Sequence, residues 1–181
     1  MKNALLYTCV IAGALLTLSG CATAPDTEAK QAQLRASVDK SITRIKTLDP
    51  GLEKELANAY GYAIFPAVGK GGAVVGGAYG RGEVYEQGKM VGWADLSQAT
   101  IGAQLGGQTF SELILFENKS ALDSFKSGKL QFAANASAVA LKSGAAETAK
   151  YTDGVLVFAE PISGLMVEAA VGGQSFSFQP V

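Results

Sequence analysis

The sequence predicts an α+β protein in which N-terminal amphipathic helices precede a curved or partly closed antiparallel β-sheet. Apolar residues recur at helical spacing between residues 30 and 56, and strand-like runs rich in glycine replace them from Tyr62 onward. The turns between these runs are short, and short turns favour antiparallel pairing. The chain has 181 residues and a formal net charge of −1, and it is long enough for one domain with a sizeable core.

Residues 1–20 have the pattern of a secretory signal peptide. Lys2 supplies a positive charge, Ala4 to Leu18 form an almost unbroken apolar run, and small residues follow. The run is shorter than the roughly 20 residues of a transmembrane helix. The tetrad Leu18-Ser19-Gly20-Cys21 resembles the lipobox of bacterial lipoproteins, in which the cysteine is acylated, with palmitate for example, and becomes the first mature residue. The alternative is an ordinary secretory peptide with an incidental cysteine.

Cysteine usage and the residue after Cys21 indicate the form of the mature chain. Cys9 leaves with the signal peptide, so Cys21 is the only remaining thiol and no intramolecular disulfide can form. Residue 22 is Ala, whereas Asp there resembles an inner-membrane retention signal, so we expect a lipid anchor in the outer membrane at its periplasmic face. Residues 21–29 then form a flexible tether, and residues 30–181 form the folded domain.

Residues 30–48 are predicted to form an amphipathic helix, because five apolar residues fall at spacings of four, four, three and three. These residues are Leu34, Val38, Ile42, Ile45 and Leu48. Asp49-Pro50 ends this helix and can open a second, shorter one, with Asp49 as N-cap and Pro50 at the first position. Leu52 and Leu56 would form the apolar stripe of the second helix.

The later part of the chain predicts a series of strands and one internal helix. The expected strands are 62–65, 73–75, 83–86, 90–93, 101–105, 110–116, 155–158 and 165–178. A short helix is expected from Ser120 to near Gly128, whereas 130–141 and 145–151 are ambiguous. Segment 103–111 resembles segment 169–177. This likeness indicates either two strands at equivalent corners of one sheet or a coincidence in a glycine-rich chain.

The residue types argue against catalysis, metal binding and nucleic-acid binding. The chain has no histidine, and its acidic residues are dispersed without a nucleophile or metal-ligand spacing. Gly69-Lys70-Gly71-Gly72 lacks the Ser or Thr of a phosphate-binding loop, and Gly80-Arg81-Gly82 lacks the third glycine of a dinucleotide fingerprint. A net charge near zero without a basic stripe is untypical of a nucleic-acid surface. We therefore expect a non-catalytic protein with neither metal nor cofactor.

Basic residues occur in two places that could contact anionic lipid. The first helix carries Arg35, Lys40 and Arg44 beside its apolar stripe, and Lys70 and Arg81 lie in glycine-rich segments expected to be loops. One interpretation makes the stripe a cover for the protein's own sheet and the charges a solvated face. The other places the helix on an anionic membrane, since a basic face beside an apolar stripe suits that surface.

Several ordered motifs resemble the SYLF domain, also called the Ysc84 actin-binding domain family. They are Ala63-Ile64-Phe65-Pro66, Lys70-Gly71-Gly72, Gly102-Ala103-Gln104-Leu105-Gly106-Gly107-Gln108, Phe125-x-x-Gly128-Lys129 and Gly164-Leu165-Met166. The resemblance covers residues 34–178 and implies a lipid-binding module, with Lys70 as a headgroup contact. Met166 stands where the family usually has Phe.

We therefore expect an outer-membrane-anchored periplasmic lipoprotein whose SYLF-like domain binds phospholipid. The residues expected to contact lipid are Arg35, Lys40, Arg44, Lys70 and Arg81. Actin binding is not expected of an exported bacterial protein. The alternative is a structural or adaptor lipoprotein that binds another envelope protein or peptidoglycan.

Overall fold

The computed structural model of the chain describes the backbone of residues 23–130, 132–133 and 138–181, together with their side chains except at 132, 133, 138 and 167–172. The signal peptide and Cys21 lie outside these residues. The described elements confirm the α+β class. In chain order they are α1 (Glu28–Leu48), α2 (Gly51–Asn58), β1 (Gly61–Gly72), β2 (Val75–Glu86), β3 (Lys89–Phe116), α3 (Lys119–Lys126), β4 (Phe132–Ala133), β5 (Ala138–Ala140), α4 (Ala145–Thr148) and β6 (Val155–Pro180).

The strands form one open, mostly antiparallel sheet. Its order is β1-β2-β3-β6-β4, and β5 runs parallel to β6. β1 pairs with β2 along one side and with the second half of β3 along the other. The first half of β3 pairs with β2, so the sheet curls along the 28 residues of β3. β6 follows β3 over nearly its whole length.

Several glycines lie within strands, and two of these strands are longer than the sequence indicated. β3 joins three of the expected strands and β6 joins two. Gly106 has a φ of +121° inside β3, and a β-carbon there would collide with the backbone of β6. The expected glycine loops around Lys70 and Arg81 are likewise strand, because Lys70 pairs with Ala78 and Arg81 pairs with Asp95. These two basic residues therefore have fixed positions in the sheet.

The internal sequence likeness has a structural counterpart. Ala103 of β3 lies directly opposite Ala169 of β6, and each residue is the first of its similar segment. Because the strands are antiparallel, the segments run away from this pair in opposite directions. They therefore occupy equivalent positions on either side of the pair.

The helices cover the two faces of the sheet unequally. α1, α2 and α4 cover what we call the outer face, where the buried side chains are Val38, Ile45, Leu52, Ile64, Tyr85, Leu113, Leu115, Ala145, Ala146, Leu156 and Phe158. α3 covers the inner face, where Leu122 and Phe125 join a core that includes Phe65, Phe116 and Phe176. The apolar stripe of α1 thus covers the protein's own sheet, which is the first of the two interpretations of that helix.

Asp49 connects two helices through one buried carboxylate. Its Oδ1 accepts from the backbone N–H of Gly51 at the start of α2, at 3.1 Å. Its Oδ2 accepts from the backbone N–H of Ala146 in α4, at 2.8 Å. The N-cap position of α2 belongs to Pro50 rather than to Asp49. The carboxylate nevertheless satisfies an unpaired amide at the start of each helix, which is the chemistry expected of a cap.

The expected tether, residues 21–29, is described from Thr23 onward, and its first described residues contact β6. Thr23 is buried, and its hydroxyl lies 3.0 Å from the hydroxyl of Ser177 on β6. The N–H of Ala24 donates to Gln179, and the Thr27 side chain caps α1, which begins at Glu28. All described elements lie between Thr23 and Val181, a stretch without cysteine that we call the body. The body therefore contains the buried cores on both faces of the sheet.

Candidate functional site

Arg35 joins α1 to the sheet through a nearly buried carboxylate. Its Nε lies 2.8 Å from Oε2 of Glu83 on β2. The Glu83 side chain is 2% exposed, whereas that of Arg35 is 46% exposed. The hydroxyl of Tyr85 donates to the same carboxylate at 2.7 Å, and the guanidinium lies over the Tyr85 ring. Arg35 therefore has a structural role, because without it a buried carboxylate would lose its cation.

The other two arginines expected to contact lipid are also engaged in ion pairs. Arg44 of α1 lies 2.8 Å from Glu160 on β6, and Arg81 of β2 lies 2.7 Å from Asp95 on β3. In each pair the carboxylate is the more buried partner. The structure does not bring the five expected residues together, and Lys40 is exposed on α1. Lipid contact by these residues stays a prediction.

Lys70 is buried on β1 beside a polar cluster inside the sheet. Glu112 of β3 and Gln174 of β6 are 1% and 3% exposed, and Gln174 Nε2 donates to Glu112 Oε2 at 2.9 Å. Burial raises the pKa of Glu112 to about 7, although the hydrogen bond from Gln174 and the charge of Lys70 act in the opposite direction. Three side-chain atoms of this cluster have no hydrogen-bond partner among the described residues: Oε1 of Glu112, Oε1 of Gln174 and Nε2 of Gln98. The interior of the sheet is therefore polar here.

A group of large aliphatic side chains is exposed at the opposite end of the sheet from α3. We call this group the apolar end, and its members are Val74, Val75, Ile101, Leu105 and Leu165. Val75 of β2 lies opposite Ile101 of β3, and Leu165 of β6 lies opposite Gly107. Exposure ranges from 65% at Ile101 to 89% at Leu165. This group is the candidate contact site, because exposed apolar surface is typical of regions that bind a partner or a membrane.

The alternation of polar and apolar residues is inverted at the apolar end. Thr100 and Gln104 are 1% and 6% exposed, whereas Ile101 and Leu105 are 65% and 73% exposed. In an ordinary half-buried sheet, the apolar positions face the core and the polar positions face water. The outward positions of β3 from Ser97 to Thr109 are uncharged. This part of the sheet therefore has a polar interior and an apolar exterior.

The carbonyls of Ala73 and Val74, in the turn at the apolar end, accept hydrogen bonds from β3. The N–H of Gly102 donates to the carbonyl of Val74 at 3.0 Å, and the N–H of Gln104 donates to the carbonyl of Ala73 at 3.1 Å. The Gln104 side-chain amide also reaches the Val74 carbonyl, at 3.4 Å. Thr100 Oγ1 donates to Oε1 of Gln104 at 2.9 Å and orients this amide.

Gly76 leaves the space that the Gln104 amide occupies. A β-carbon at residue 76 would lie 2.6 Å from Gln104 Oε1. A larger residue would therefore displace the side chain that completes the turn.

The apolar end was not among the expected site residues. The sequence placed 73–75 and 101–105 in strands, but it did not show which face of those strands would be buried. The available signal was the polar set Gln98, Thr100 and Gln104, which alternates with the apolar positions. Alternation alone does not show which of the two sets is buried, because a period of two is compatible with burial of either face.

Two further observations concern the described residues as a whole. No group of three or more potential metal-ligand side chains comes together in them. None of their helices is long and apolar enough to cross a membrane.

The Arg35–Glu83 pair generates a prediction about stability. Arg35→Gln should lower the free energy of unfolding by about 1–2 kcal/mol, since Glu83 would keep a buried charge without its cation. Urea unfolding of the body measures this change. Arg35→Gln with Glu83→Gln should recover part of the loss, and Lys40→Gln on the same helix should have no measurable effect. Unchanged stability of Arg35→Gln would contradict the structural role.

Glu112 generates a prediction about pH. A carboxyl whose pKa is raised on folding binds its proton more tightly in the folded state, so its stabilising effect is full below about 4.5 and is lost as the pH rises through about 7. Glu112→Gln cannot lose a proton. Relative to wild type, the variant should therefore gain unfolding free energy over this pH range, on the order of 3 kcal/mol at about 1.36 kcal/mol per pKa unit. Urea unfolding at a series of pH values tests this, and a pH-independent difference would refute it.

Comparison with known proteins gives a distant similarity. No family model matches the chain. The chain is 27% identical over 152 residues to a protein of Aeromonas veronii named Beta cell expansion factor A. The match covers 82% of this chain and 58% of that protein, so the chain spans under two thirds of the relative's length.

Proposed function

We propose that the protein is a non-catalytic, exported lipoprotein whose body binds phospholipid membranes through the apolar end. The observation that carries this proposal is the exposure of five large aliphatic side chains at one end of the sheet, where the outward positions of β3 are uncharged. Burying one side chain of this size contributes about 1.5–3 kcal/mol. The apolar end can therefore supply several kcal/mol of membrane affinity without any charged contact.

The sequence supports the export and anchor parts of the proposal. The pattern of residues 1–20 and the tetrad ending at Cys21 suit a lipoprotein of the outer membrane's periplasmic face. The motifs that resemble the SYLF domain suit a lipid-binding role. Because Thr23 is fixed on β6, only a very short stretch would separate an acylated Cys21 from the body. The body would then remain at the membrane surface, where the apolar end could reach lipid.

The proposed mode of binding differs from the headgroup contact expected from the basic residues. Arg35, Arg44 and Arg81 are paired with carboxylates, and those pairs reduce the charge available to an anionic surface. Raised salt should therefore weaken membrane binding only slightly, since screening acts on charge and leaves apolar burial intact.

An adaptor role is the second candidate, and one observation favours it. The apolar end has no cluster of unpaired basic residues around it in the described part of the chain, as expected of a surface that docks protein. However, protein interfaces are enriched in aromatic residues, Met and Arg. The apolar end is entirely aliphatic, and its interior is polar, so acyl chains suit it better.

Co-sedimentation of the body with phospholipid vesicles tests the proposal. The body should bind zwitterionic and anionic vesicles alike. Leu105→Asp should weaken binding by about tenfold or more, because losing one buried Leu side chain exceeds the roughly 1.4 kcal/mol that corresponds to a factor of ten. Val181→Asp is the matched control, since Val181 is equally exposed but lies outside the apolar end.

Two outcomes would contradict the proposal. If the wild-type body binds neither kind of vesicle, the adaptor role replaces lipid binding. If the body binds only anionic vesicles, releases at raised salt and is insensitive to Leu105→Asp, the basic residues bind lipid and the apolar end does not.

A further inference from the structure

The turn of the apolar end has carbonyl groups that accept hydrogen bonds from donors within the protein. Its carbonyls at Ala73 and Val74 accept from the amides of Gln104 and Gly102, and the buried Gln104 side chain adds a second donor to Val74. A turn exposed to water needs no such device, because solvent can satisfy its carbonyls. In hydrocarbon each unsatisfied backbone group costs several kcal/mol, so internal satisfaction becomes obligatory.

A polar belt lies at a defined distance from the turn. Tyr79 is four residues after Val75 on β2, and its hydroxyl accepts from Arg81, which pairs in turn with Asp95. Four residues of strand span about 13 Å. Half of the hydrocarbon core of a bilayer is about 15 Å. Between the turn and the belt, the outward positions are Gly77 on β2 and small or apolar residues on β3.

We propose that the apolar end enters the hydrocarbon layer of one leaflet, to the depth at which Tyr79, Arg81 and Asp95 reach the headgroups. This inference rests on the proposed function and adds the class of contact: the surface takes acyl chains rather than headgroups. An aromatic hydroxyl and a paired arginine suit the polar boundary, since each has an apolar body and a polar tip. Arg81 thus contacts lipid headgroups at the polar belt, and the five aliphatic side chains contact acyl chains deeper in the leaflet.

Depth-dependent fluorescence quenching tests this inference. The body has no cysteine, so Val74→Cys and Leu165→Cys each give a unique site for an environment-sensitive fluorophore. Both positions are exposed, so replacing them removes no core contact. The vesicles contain phosphatidylcholine and phosphatidylglycerol. One preparation carries bromine on the acyl chains, and the other carries a quencher on the headgroup. Ser120→Cys at the start of α3 is the matched exposed control.

Fluorophores at residues 74 and 165 should be quenched more strongly by brominated acyl chains than by the headgroup quencher. A fluorophore at residue 120 should not be quenched by brominated acyl chains. Binding of the unlabelled body together with quenching only from the headgroup would overturn the inference and leave the proposed function standing. Failure of the unlabelled body to sediment with vesicles would overturn the proposed function itself. Equal acyl-chain quenching at residue 120 would also overturn the inference, because it would mean that insertion is not confined to the apolar end.

Discussion

The amide of Gln104 is the interaction on which the end of the sheet depends. It joins the carbonyl of Val74 to β3 and is itself oriented by Thr100. Gly76 must lack a side chain because this amide occupies the space beside it. Since Thr100 and Gln104 face inward, the residues that directly follow them, Ile101 and Leu105, face outward. The inward placement of Thr100 and Gln104 therefore accounts for two of the five exposed aliphatic side chains.

The basic residues and the apolar end have different tasks in this structure. Arg35 and Arg44 connect α1 to carboxylates on β2 and β6, beside the apolar stripe that buries Val38 and Ile45. The helix is therefore held to the sheet by apolar burial and by ion pairs at its edges. α1 covers the outer face near one end of the sheet. At the other end, which is the apolar end, none of the described helices covers that face. Under the proposed function, contact with acyl chains falls to the apolar end.

Sequence patterns predicted the classes of elements better than their extents. The stripe from Leu34 to Leu48 indicated α1, because helical periodicity over 15 or more residues is a strong signal. Strands 83–86 and 90–93 were also predicted, and Gln87 and Gly88 between them have positive φ as a tight hairpin requires. The continuous β3 and β6 were not predicted, since the role of Gly106 within a strand depends on the approach of a neighbouring strand. Likewise, the pairing of Arg35 with Glu83 joins residues far apart in sequence, and periodicity carries no information about such contacts.

The central claim is that the turn at the apolar end is internally hydrogen-bonded even though its side chains are exposed. Residue-resolved hydrogen exchange of the body tests this claim most directly. The amides of Gly102 and Gln104 donate to the turn carbonyls, so they should exchange slowly in water without lipid and more slowly still with phospholipid vesicles. Exchange of these two amides at the rate of free, solvated amides would contradict the account.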